Sequence, residues 1–143
     1  MINLGFYTNF EESQSKRISY ILTALAGSVS DYAIYYEGLP MLYNHNIPAF
    51  HSANLINFTG QLITFTVESF INACKNAYKA EKIVLMYGKN SKTINPIDIL
   101  YFSEKSARIV CEDEDSIKYL KRILGNNIDI VMIDRELTCL TST

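Results

Sequence analysis

The chain has 143 residues, 48% of them hydrophobic and 20% charged, which gives one domain of ordinary size enough apolar surface to build a core without disulfide staples. That length leaves no room within it for an enzyme of two full-sized lobes. Thirteen basic residues against fifteen acidic ones leave a net charge of -2, so no global field draws in a polyanion, and nucleic acid is disfavoured as a partner.

In chain order, Ile2 to Thr8 is a short apolar and aromatic run. Ser13 and Ser15 follow as candidate caps, and Ile18, Ile21, Leu22 and Leu25 then recur at helical spacing before Gly27. Ala33 to Tyr36 reads as a second strand, bounded by Gly38 and Pro40. From residue 38 to residue 60 prolines, asparagines and a glycine break any periodicity, which predicts a long loop. Loops of that length in a single domain more often carry function than not.

Leu62, Ile63 and Phe65 then read as a strand, with Thr66 as a cap and Val67, Phe70, Ile71, Cys74 and Tyr78 on one helix face. Lys82 to Tyr87 is a buried-type strand. Asn95-Pro96 starts a brief helix ending near Lys105, with the asparagine as cap and the proline at the first helical position. Ala107 to Cys111 is a further strand. Glu112 to Asp115 place acids at a helix start, Gly125 closes that helix, and Ile128 to Ile133 is the last strand before a tail that frays or packs. Near-continuous apolar strands alternating with amphipathic helices predict one α/β domain over residues 1–143, a Rossmann-like three-layer sandwich with a mostly parallel sheet.

In such a sheet ligands gather beyond the carboxyl ends of the strands, which directs the search to Thr8–Glu12, Glu37–His51, Gly88–Lys92 and Glu112–Asp113. The first strand-to-helix turn has no GxGxxG and carries Glu11 and Glu12, so a dinucleotide pyrophosphate is not expected there. Gly88-Lys89-Asn90-Ser91-Lys92-Thr93 lacks the upstream glycine of a phosphate loop and is better read as a polar connection. The acids at 112–115 are simpler as partners of a helix dipole than as a magnesium site.

Three cysteines, Cys74, Cys111 and Cys139, are scattered, without a CxxC pair or histidines at metal-ligand spacing, and read as buried inert thiols of a reducing compartment. No cofactor, metal or catalytic residue is expected. No window approaches the roughly 18 uninterrupted apolar residues of a membrane span, and the start lacks a basic leader, so the expectation is a cytoplasmic protein with no membrane partner.

The two histidines, His45 and His51, both fall in the 38–60 stretch with Tyr43, Asn44, Asn46 and Phe50. This group is the candidate for a ligand or partner surface, with an imidazole suited to proton transfer near neutrality. Asparagine side chains bonding to their own loop, with incidental histidines, explain the same residues more simply.

Three segments bear on a known family: Gly5-Phe6-Tyr7-Thr8 with its helix, the Tyr43-Asn44-His45-Asn46 loop, and Phe58-Thr59-Gly60-Gln61-Leu62-Ile63-Thr64-Phe65-Thr66. With the closing strand-helix-strand, they resemble the N-terminal Rossmann-like half of phage-encoded glycosyltransferase-like proteins of the GT-B type. The chain departs from that pattern at Cys111-Glu112, where the family runs into an Arg-Ser step. It also lacks the C-terminal lobe that in such enzymes holds the nucleotide-sugar. The resemblance therefore implies a reduced, non-enzymatic lobe that binds another protein or its own copies, in the host cytoplasm or in a virion. The alternative it implies is a glycosyltransferase-like enzyme, or a sugar- or nucleotide-binding subunit, whose active site another chain completes.

Overall fold

In a computed structural model, residues 2–9, 11–37, 47–103 and 106–141 are described. Seven strands form one sheet: β1 (Ile2–Thr8), β2 (Val29–Tyr36), β3 (Ala49–His51), β4 (Gly60–Thr64), β5 (Ala80–Tyr87), β6 (Ala107–Cys111) and β7 (Asp129–Met132). Their order is β3-β2-β1-β4-β5-β6-β7, and every pairing is parallel. The helices are α1 (Glu12–Ala24), α2 (Val67–Asn76), α3 (Ile99–Phe102) and α4 (Glu114–Leu124). Short 3₁₀ segments lie at Ser52–Asn57, Pro96–Asp98 and Thr138–Leu140.

The alternating side chains of the strands feed two cores. Leu4, Phe6, Ile34, Ile63, Val84 and Val110 face α1, through Ile18, Ile21 and Leu25, and the C-terminal turn, through Leu137 and Leu140. The opposite face carries Tyr7, Tyr35, Leu62, Leu85 and Ile109, covered by Phe70 and Ala73 of α2, Phe102 of α3 and Leu120 of α4. β4 and β6 are buried along their whole length, as expected of strands covered on both sides. The three-layer Rossmann-like α/β fold read from the sequence is the fold observed.

Local chemistry fixes several boundaries. Thr66 caps α2 with a full capping box, its side chain accepting from Ser69 N while Ser69 Oγ accepts from Thr66 N. Asp113 caps α4 by accepting from Ser116 N at 2.8 Å, and Gly125 ends that helix with φ of 79°. Gly60 opens β4 at φ of 122°, with its Cα so close to β1 that a Cβ there would sit 2.4 Å from the Asn3 carbonyl oxygen.

Some expectations are corrected. Neither Ser13 nor Ser15 caps α1: Glu11 holds the N-cap position without a side-chain bond, and Gln14 reaches back instead to Thr8 and Asn9. Asn95 sits at an N-cap position ahead of Pro96 but makes no side-chain capping bond. Within the stretch read as a loop over residues 38–60, Ala49–His51 pairs with β2 as the sheet's edge strand, and Ser52–Asn57 forms a 3₁₀ turn. The tail packs: Leu137 and Leu140 are fully buried, and Arg108 donates to Cys139 O at 2.8 Å.

Candidate functional site

β1 leads through α1 to β2 on one side, whereas β4 enters on the other side of β1, so strand order reverses between β1 and β4. The helices following these strands lie on opposite faces, which opens a crevice above Tyr7 and Thr64, neighbours in register. A cleft of about 530 Å³ occupies that position. Its walls come from the end of β1 (Tyr7, Thr8, Asn9), the start of α1, the β4–α2 turn with Asn72, Glu37 after β2, and Asn90 to Lys92 after β5. The volume lies within the roughly 300–1,000 Å³ typical of small-molecule sites.

One wall is a hydrogen-bonded set of three side chains. Tyr7 Oη donates to Glu37 Oε1. Asn72 Nδ2 donates to both partners, at 3.1 Å to Tyr7 Oη and 2.9 Å to Glu37 Oε1. Burial, reinforced by the Glu37 carboxylate, holds the Tyr7 phenol well above the usual tyrosine range, so it remains a neutral donor at physiological pH. Opposite, Gln14 Oε1 accepts from Thr8 Oγ1 at 2.7 Å and from Asn9 N at 3.1 Å, fixing the turn that leaves β1.

Among the described residues the cleft carries more acidic than basic side chains. Glu11, Glu37 and Glu68 supply three carboxylates against the two cations Arg17 and Lys92. Lys92 is paired with Glu68 at 3.3 Å, and Arg17 reaches Glu112 through Nη1 and Nη2 at 3.0 and 3.2 Å. What remains is an array of held amides, hydroxyls and a carboxylate, the chemistry that recognises hydroxyl groups. Among the described residues no group of three or more His, Cys, Asp and Glu side chains is placed to hold a metal.

Of the candidate residues from sequence, Tyr43, Asn44, His45 and Asn46 lie outside the described residues. His51 ends β3, accepts from Ala53 N through Nδ1 at 3.1 Å, and rests edge-on against Tyr36. Phe50 packs on Tyr35, with ring centroids 5.8 Å apart, and stays 43% exposed. Neither lines the main cleft. His51 instead lines a smaller cavity of about 250 Å³.

Three of the four segments proposed from the parallel-sheet rule contribute in part: Thr8–Glu12, Glu37–His51 through Glu37 alone among its described residues, and Gly88–Lys92 through Asn90 to Lys92. The fourth meets it indirectly, through the Arg17–Glu112 pair. Asp113 is occupied as a cap, its carboxyl held below the usual range chiefly by the Ser116 backbone N–H. The β4–α2 turn and Asn72 escaped sequence reasoning because helix periodicity counts the apolar face, and Asn72 belongs to the polar one. The signal available was the polar pair Ser69 and Asn72, three residues apart on a helix that follows a central strand.

Cys111 and Cys139 are buried, whereas Cys74, expected to be buried, is only half-buried. Burial, with Asp113 next, pushes the Cys111 thiol up to about 12, and burial also raises Cys139. Among the described residues no helix is long and apolar enough to cross a membrane. No protein-family model matches the chain, and no curated protein matches it either.

Proposed function

We propose that this chain binds a small, uncharged, hydroxyl-rich ligand, a sugar or the sugar portion of a nucleoside, in the cleft above β1 and β4. The observation that carries the proposal is the Tyr7–Glu37–Asn72 set: a buried phenol and an amide hold one carboxylate in place at the reversal of strand order. A preorganised acceptor of this kind binds hydroxyl groups without first being ordered. The surplus of carboxylates over cations, with both cations paired, disfavours phosphorylated ligands. Of the two functions implied by the resemblance to glycosyltransferase-like lobes, the cleft supports the ligand-binding one.

The test is thermal unfolding against a panel of sugars, nucleosides, nucleotides and nucleotide-sugars. Ligand at 100 times its dissociation constant adds about 2.7 kcal/mol of stability. The expected result is a shift with a neutral member that is lost in Glu37→Ala. No shift across the panel, or a phosphorylated form binding better than its neutral parent, would overturn the proposal.

A second reading, a protein-interaction module of the reduced-lobe type, is favoured by Ile97 and Leu100. Ile97, in the 3₁₀ turn before α3, and Leu100, in α3, stand three residues apart and are 79% and 76% exposed. Its test is solution mass: an assembly lost in Ile97→Ser with Leu100→Ser supports it, and a monomer in both proteins from low to high concentration counts against it.

A further inference from the structure

The smaller cavity, about 250 Å³, is a groove between the 3₁₀ turn Ser52–Asn57 and α2. It shares Tyr7 and Asn72 with the main cleft. The two spaces therefore meet at Tyr7 and Asn72, with their bonded partner Glu37 lining the main cleft alone. At that volume the groove falls below the roughly 300–1,000 Å³ of independent ligand sites, as a subsite would.

The groove's lining sets polar groups beside apolar surface from Tyr7, Leu55, Ile56 and Tyr78. Asn72 and Asn76 are one helical turn, about 6 Å, apart on the same side of α2. Ser52 and His51 face them from the other side. The His51 bond from Ala53 N to Nδ1 leaves the neutral ring's proton on Nε2, a donor. Apolar surface concentrates at Ile56 and Tyr78, which are 47% and 71% exposed.

Resting on the ligand reading above, we infer that the two spaces form one continuous site for a neutral saccharide of at least two linked rings. One ring sits in the main cleft with a hydroxyl on Glu37 Oε2, and the next lies along α2 with its apolar face toward Tyr78. Polar rows along both sides of a groove match hydroxyls projecting around a saccharide ring.

The experiment is calorimetric titration with hexoses and N-acetylhexosamines, each as the single unit and as its two- and three-unit forms, alongside adenosine and uridine. A two-unit form is expected to bind about tenfold or more tightly than its unit. Tyr78→Ala with Ile56→Ser, both at exposed positions, is expected to erase that advantage and leave single-unit affinity unchanged. Equal binding of unit and two-unit forms, an unaffected double variant, or a nucleoside binding better than every linked sugar overturns the extended site. In each of these cases the cleft itself stands if Glu37→Ala abolishes the binding that is seen. No binding by any sugar or nucleoside overturns both.

Discussion

Tyr7 illustrates how one residue serves both core and site. Its ring is almost fully buried among the side chains beneath α2, while its hydroxyl reaches the cleft. In Tyr7→Phe, Asn72 still bonds to Glu37 at 2.9 Å, so the carboxylate keeps one donor. Because Glu37 is itself exposed, the loss belongs at the low end of values for bonds to charged groups, about 1–2 kcal/mol. Equilibrium urea unfolding checks that figure, and a loss above about 4 kcal/mol would mean that the hydroxyl supports more than this set. Asp113 gives the pH-dependent counterpart. Its folded-state pKa lies below the usual 3.8, so its capping contributes fully above that value and is lost as pH falls through the folded one. Asp113→Ala is expected to lower the melting temperature by about 3–5 °C at pH 7. Below the folded-state pKa the two proteins should converge, and a gap independent of pH would contradict the charged cap.

At the scale of elements, strong local signals were legible and weak ones were not. Thr66 and Gly125 mark their helix ends in the sequence because each supplies a group that only that geometry uses, a side-chain acceptor and a positive φ. β3 was not legible, since three residues among prolines and asparagines carry no period, and their strand conformation is set by pairing to Ile34, Tyr35 and Tyr36. Ser13 and Ser15 looked like caps because serine is the commoner choice. The helix instead starts at Glu12, so both serines fall inside it, and Gln14 bonds backward to the end of β1. Gly60 is the sharpest test of how β4 enters the sheet. Gly60→Ala adds a methyl against a backbone oxygen and places alanine at a positive φ, so a loss of at least about 2–3 kcal/mol is expected. An unfolding midpoint unchanged from the parent would show that β1 and β4 can part there at no cost.

For the whole molecule, the alternation of apolar strands with amphipathic helices was enough to identify a parallel α/β sandwich, and the rule that ligands gather at strand carboxyl ends located most of the cleft. Strand order was not legible, because which strand lies beside β1 depends on long-range pairing. That pairing, β4 against β1, creates the reversal that opens the site. The central claim is that this crevice binds the ligand. Its most direct test is to follow backbone amide resonances while titrating the tightest neutral binder from the sugar and nucleoside panel. Shifts are expected to concentrate in residues 7–14, at Glu37, and in residues 65–72, with Glu37→Ala abolishing them. Shifts concentrated around Ile97 and Leu100, or spread without regard to the β1–β4 crevice, would contradict it.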